Sequence, residues 1–392
     1  MDANELKIAV SGEIDNRRSQ LNELSQKIHG NPELGMQETR AAGWLAGYLE
    51  GNGFLVEKGI CGLETAFRAS YGKGKPEIAI LAEYDALPKL GHACGHNLIA
   101  ASAVGAGVAA RQAVDGYGGK VLVFGTPGEE GEGGKVIMAR EGAFDGVDMA
   151  MMVHPGVRNT AITSFLALHA LEVEFFGKAA HAAARPDEGV NALEAMIQSF
   201  NGINSLRQHI RDKARIHGII TDSGEAPNIV PAHCAGSFIV RAENDEYLEE
   251  LKERVLNCFR GAALATGARM EHRWRDVRYS AMRSNTVLAE LYCRNMSIVG
   301  REMPLEDPEN RFGSSDMGNV SQIVPSLHPA IAIAPLDVLG HSPEFAVAAG
   351  TESGEQGMID AAKAMAMTAV DLLSDPALVA RAKEEFERGN TG

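Results

Sequence analysis

At 392 residues the chain is long enough for two domains, each with its own core. Its composition, 45% hydrophobic and 23% charged, is that of a soluble globular protein, and a net charge of −15 with no offsetting basic run argues against nucleic acid or an anionic membrane as a partner. Five widely spaced cysteines predict no disulfide framework, and no apolar run reaches the roughly 18 uninterrupted residues of a membrane span.

Residues 4 to 53 read as helix, broken at HGNPELG. There Gly30, Asn31 and Pro32 stop one segment, and Glu38 to Leu49 forms another that ends at Gly51. Three strand-like runs follow: Glu77 to Ala82, Val121 to Gly125 and Met149 to Val153. The apolar stretch Leu98 to Val114 separates the first two as a helix, and Gly134 to Glu141 separates the second pair. Strands alternating with helices predict βαβ units and a parallel sheet covered on both faces. After Phe165 the pattern changes. Leu168 to Phe176 alternates apolar and polar residues, a helix is expected over Gly189 to Ile210, and strands over Arg215 to Thr221 and His233 to Arg241. A helix over Asp245 to Ala265 and a strand over Arg269 to Val277 complete the order β-α-β-β-α-β, that of a small ferredoxin-like domain. A strand-like Ala330 to Ala334 and a helix over Glu355 to Ser374 resume the first style. The fold expected is α/β: a mostly parallel-sheet domain with helices on both faces, residues 1–166 and 279–392, interrupted by an α+β domain, residues 167–278.

Chemistry-bearing residues gather at the carboxyl ends of the expected parallel strands, where open α/β sheets bind their ligands. The stretch LAEYDALPKLGHACGHN, Leu81 to Asn97, packs His92, Cys94 and His96 closely together in a turn flanked by Gly91 and Gly95. A thiol and an imidazole two residues apart suit a soft or borderline divalent metal, and a metal-bound Cys94 would be a thiolate. Asn97 is placed to cap the helix that follows. TPGEEGEGGK, after the next strand, offers Glu129 and Glu130. Metal-assisted hydrolysis needs two such carboxylates, one on the metal and one free to take a proton from the attacking water. The same stretch nearly matches a phosphate-binding loop. Val136 follows Lys135 where Ser or Thr is needed, however, and Glu129 occupies the place of the opening glycine, so nucleotide binding is rejected. His154 ends the run Met149 to Val153, and His341 lies in GHSPEF beyond the run ending at Pro335. Four strand ends converging on one point would make a metal centre.

These stretches carry a resemblance. HGNPELGMQE, AEYDALP, HACGHN, TPGEEGEGGK, MVHPG, FFGKAAHAAARPDEGVNALEA, APNIVP and GHSPEF stand in the order found in the aminoacylase–carboxypeptidase metallopeptidase family. The chain most resembles its amidohydrolase branch, which includes hippurate, indole-acetyl-amino-acid and p-aminobenzoyl-glutamate hydrolases. The resemblance implies a two-metal centre in which Cys94 bridges the ions, Glu130 and His341 hold one, and His96 and His154 hold the other. It implies that Glu129 is the general base and that Asp85 orients a ligand. It also implies that His181 of the smaller domain reaches into a partner subunit's site to stabilise the oxyanion, and that Asn228 lies near that oxyanion. The cofactors would be two divalent metal ions, Zn or Mn first, with Co or Ni as options. The smaller domain would be both lid and dimerisation domain.

Three positions depart from the family pattern. Asn97 stands where the branch has Asp, which is expected to affect metal preference. Glu83 stands where the branch often has Asp and other branches have a histidine ligand. GSSDMG around Asp316 replaces a motif that carries Glu-Asp in relatives. His92 has no matched role and is expected to be structural or to support a ligand, and His29 and His328 are read as surface or core histidines.

The function expected is that of a metal-dependent amidohydrolase, cytoplasmic and homodimeric. The polar start MDANELKIAVSGEIDNRR shows no signal peptide. The substrate expected is a small-molecule amide, either an N-acyl or N-aminoacyl amino acid or a short dipeptide. Two alternatives stay open. Hydrolytic deamination of an aromatic or heterocyclic amine on the same dinuclear site would release ammonia. A non-catalytic metal-binding sensor or scaffold would have no need of a free base at Glu129.

Overall fold

The computed structural model describes residues 1–307 and 312–389. The chain divides into two compact units, one of residues 1–164, 282–312 and 316–392, the other of residues 165–281 and 313–315.

The first unit is built on a six-stranded sheet. Its spatial order is Leu55–Lys58, Phe67–Lys73, Gly119–Gly125, Glu77–Ala82, Met149–Met151, Ser326–Leu327. The last four strands are parallel to one another, and the first two are added antiparallel at one edge. Both faces are buried. Ile78, Ile80, Val121 and Val123 enter the larger apolar cluster on one face, and Ala79, Leu81, Leu122 and Phe124 enter a second cluster on the other. Burial on both sides is why these strands read as unbroken apolar runs. The helix His96–Tyr117 lies on the first face and is buried along most of its length. Gly107 brings it close to the sheet, since a Cβ there would stand 2.4 Å from Val123 Cγ2. The helix Glu352–Ser374 packs against it in turn.

Several elements fall outside the expected set. The edge strand Leu55–Lys58 and its neighbour Phe67–Lys73 are partly exposed and polar, so no apolar run announces them. The helices Thr286–Ile298 and Pro376–Arg388 also form, the second capped by Asp375. The N-terminal helical stretch is split at Arg17 into Ala3–Asn16 and Arg18–His29. The run Met149 to Val153 is a strand only to Met151; His154–Gly156 then pairs in parallel with Ala330–Ala332.

In the second unit a four-stranded antiparallel sheet has the order Arg269–Tyr279, Ala167–Phe176, His233–Ala242, Arg215–Asp222. Numbered along the chain this is 4-1-3-2, with the helices Ala192–Arg207 and Asp245–Thr266 packed on one another and on the sheet. Asn191 and Asn244 cap these helices through their side chains, onto Glu194 N and Tyr247 N. Among the described residues no helix is long and apolar enough to cross a membrane.

Candidate metal centre

The strand Glu77–Ala82 delivers Glu83 and Asp85 at its carboxyl end. The chain then doubles back, with Leu87 and Gly91 exchanging backbone hydrogen bonds, and enters the helix His96–Tyr117 through Gly95. Gly95 has φ 79, a left-handed conformation that suits glycine, and a Cβ there would stand 2.8 Å from Pro155 Cγ. The turn carrying Cys94 is thereby seated against the residue after His154.

The side chains converge as the strand ends require. One ligand atom each from Cys94, His96 and His154 lie within 4.8 Å of one another, and the same holds for Cys94, Glu130 and His341. Cys94 belongs to both groups. Glu129 joins His96 and Glu130 in a further group. Cys94 Sγ is 3.4 Å from His154 Nε2, close to the roughly 3.6 Å that Zn–S and Zn–N bond lengths give for two ligands of one tetrahedral ion.

The imidazoles are oriented from behind. His96 Nδ1 faces Asp85 O at 2.9 Å and Asp85 Oδ1 at 3.0 Å, so that nitrogen carries a proton and Nε2 is the one turned toward Glu83 and Glu130. His154 Nδ1 donates in the same way to Pro155 O at 2.6 Å. Asp85 Oδ2 accepts the Glu130 N–H at 3.0 Å, so one carboxylate fixes two neighbours of the centre. His341 is held by its own N–H on Ala93 O at 3.0 Å.

The donor set fits a cation. His96 Nε2 and Glu130 Oε1 are buried without a hydrogen-bond partner, 4.0 Å apart, and Glu130 Oε1 is 3.4 Å from His341 Nε2. Lone pairs gathered this way repel unless a positive charge lies among them. Burial pushes the Cys94 thiol pKa up, so a thiolate there needs such a charge beside it. Burial also pulls His154 down to about 4, leaving it neutral and able to ligate. Asp85 sits at about 2: burial raises it, but the His96 ring and the Glu130 N–H outweigh that. Burial, then the charges of Glu83 and Asp316, lift the Glu129 carboxyl well above the ordinary range.

His181 and Asn228 lie in the second unit, where Ala182 N donates to Asn228 O at 3.0 Å and the backbones of His181 and Ile229 form a bridge. His181 Nδ1 accepts from Ala183 N and Ala184 N.

Asn97 departs from its expected part. The helix starts one residue earlier, at His96, so Asn97 is not the cap. Its Nδ2 donates to Ser25 Oγ at 2.9 Å and Ala349 O at 3.1 Å, tying two other segments to this helix. His92 is buried with its ring stacked on His29, 6.2 Å between centroids. His328 is wholly buried, its ring 5.6 Å from that of His154.

Other participants were not legible as such. Glu38, buried in the motif HGNPELGMQE, accepts the Gly128 N–H at 2.8 Å and the Thr65 hydroxyl at 3.0 Å. It thus anchors the residue before Glu129; the sequence marked it only as the last residue of that stretch. Glu83, Lys135 and Asp316, which the sequence offered as departures or as a failed phosphate loop, form one buried ionic group with Glu129.

Residues 167–266 match the family described as the peptidase dimerisation domain. The Xaa-Arg dipeptidase of Mus musculus is 38% identical over 97% of this chain and 92% of its own length. A p-aminobenzoyl-glutamate hydrolase polypeptide of Escherichia coli K12 is 31% identical over 97% of this chain and 94% of its own. Among solved structures, a dinuclear metal-binding peptidase of the M20 family from Bacillus subtilis shares the fold, with TM-score 0.70 and 20% identity over 92% of this chain and 99% of that one.

Proposed function

The chain belongs to the M20 family of metallopeptidases and amidohydrolases, the group its motifs resemble, and on that premise we propose that it hydrolyses the peptide bond of small dipeptides of the Xaa-Arg type. The observation that carries the reading is Cys94, common to two three-donor groups with the buried Glu129 carboxylate beside them. Cys94, His96 and His154 would hold one divalent ion, and Cys94, Glu130 and His341 the other. Such ions polarise an amide carbonyl and make water a nucleophile at neutral pH. Thiolate and imidazole donors favour Zn²⁺, and the carboxylate also admits Mn²⁺.

Glu129 takes the proton of the attacking water and passes it to the leaving amine nitrogen, completing cleavage to a carboxylate and an amine. Asp85 keeps His96 in the ligating tautomer. His181 and Asn228 are proposed to stabilise the oxyanion, His181 from the partner subunit of a homodimer formed through the second unit. A cytoplasmic location fits the five free cysteines.

The test is a panel of Xaa-Arg and Xaa-Lys dipeptides, N-acyl amino acids and p-aminobenzoyl-glutamate, with released amino acid and ammonia measured separately. Amino acid release from Xaa-Arg substrates is expected, and ammonia as the product would overturn the reading. In Glu129→Gln the metal content and fold should persist while kcat falls by about two to four powers of ten.

A further inference from the structure

Lys135 has no part in the mechanism above, yet it is one of the most buried side chains of the chain, at 0% exposure. Its Nζ is 2.7 Å from Asp316 Oδ1 and in a close ion pair with Glu83, and its backbone N–H donates to Asp316 Oδ2 at 2.9 Å. Glu83, Glu129 and Asp316 each offer an oxygen within 4.8 Å of the others, a three-carboxylate set that would suit a cation. Glu83 Oε2 in turn stands 3.6 Å from His96 Nε2, so this group adjoins the metal centre. Burial alone would lower a lysine pKa, but Asp316, Glu83 and Glu129 outweigh it and keep Lys135 charged. A buried ion network of this kind is weak as a source of stability, because well-packed apolar side chains do as well. Its value has to be sought in what it positions.

We propose that Lys135 is a positioning residue for the reaction: its ammonium is the resident cation of the Glu83–Glu129–Asp316 group, closing that group to metal and holding the Glu129 carboxylate for proton transfer. The proposal rests on the reading of Glu129 as the base. Without the ammonium the three carboxylates repel one another, and either Glu129 swings away or a third divalent ion enters.

The test compares wild type, Lys135→Met and the triple variant Glu83→Gln/Lys135→Met/Asp316→Asn, in which Glu129 is the one charged member left in the group, all loaded with Mn²⁺. Bound ions per chain, melting temperature, kcat and KM are measured on each. Lys135→Met is expected to bind one ion more than wild type and to lose about 100-fold in kcat, the scale of a misplaced catalytic base, with KM within about threefold. The triple variant is expected to regain the wild-type ion count and melting temperature but not kcat. If it regains kcat along with stability, Lys135 only fills space and the proposal fails. Wild-type crystals soaked in excess Mn²⁺ give an arm that needs no variant. Anomalous density among Glu83, Glu129 and Asp316 would overturn the proposal, and density confined to the Cys94 groups would support it. Empty Cys94 groups in the same map would instead count against the dinuclear reading.

Discussion

Asp85 divides its two oxygens between His96 and the Glu130 backbone, and a side chain so placed controls ligands it does not replace. Asp85→Ala is expected to leave the ligand set intact and weaken metal affinity by about 10- to 100-fold, read by competition with a chelator. Glu38 acts one step further out, on Gly128. Burial, with a smaller push from Asp85, raises its pKa to about 7. Below about pH 4.5 the carboxyl is protonated in the folded and unfolded chain alike. As pH rises from there to about 7, the folded chain keeps the proton and the unfolded chain releases it, so stability falls across that window, by about 3 kcal/mol at most. Glu38→Gln should remove this slope, so denaturant midpoints of variant and wild type converge at pH 5 and separate at pH 8 in the variant's favour. A variant less stable at pH 8 would show that the Gly128 contact needs the charge. Neither Glu38 nor Lys135 could be read as a working residue from its neighbours in sequence. Their partners, Gly128 for one and Glu83 and Asp316 for the other, are far along the chain, and only the fold makes them adjacent.

At the scale of elements, the centre is a set of strand ends, and its accuracy depends on the turns that leave them. The Gly95 turn joins the Cys94 loop to the buried helix while touching Pro155 from the neighbouring strand. Gly95→Ala would force a side chain into the left-handed region and against that ring. It should lower stability by about 1–3 kcal/mol and loosen metal binding at least tenfold, measured by thermal melting and metal titration. Unchanged affinity would mean that the turn does not set the distance between Cys94 and His154. The parallel strands and the long buried helices were legible because burial on both faces leaves a continuous apolar run. The edge strand Leu55–Lys58 was not, because four mostly exposed residues leave no apolar run, and the helix Pro376–Arg388 was not, because it buries only Val379 and Ala382. The short strand at His154 depends wholly on its partner Ala330–Ala332, distant in sequence.

At the scale of the whole molecule, the second unit's sheet has two unlike edges. The edge strand Arg269–Tyr279 carries arginines, several paired with Glu or Asp, which discourages further strand pairing. The other edge strand, Arg215–Asp222, leaves Ile219 at 65% and Ile220 at 39% exposure. If the homodimer proposed above forms along this edge, Ile219→Lys should shift it toward monomer in sedimentation while the circular dichroism melt stays near that of wild type. If His181 acts across the interface, kcat per chain falls with dissociation; a fully active monomer would remove His181 from the reaction.

Sequence by itself determined the local chemistry: the apolar runs, the β-α-β-β-α-β order, and the thiol, imidazole and carboxylate residues at strand ends. These follow from burial and backbone propensity, which act between near neighbours. Tertiary structure alone decided which donors share an ion-sized space, that Asn97 faces Ser25 and Ala349 O, and that Lys135 meets Glu83 and Asp316. Those outcomes depend on distances between residues tens to hundreds of positions apart, and at a few ångströms in a buried setting such distances govern charge, ligation and proton transfer.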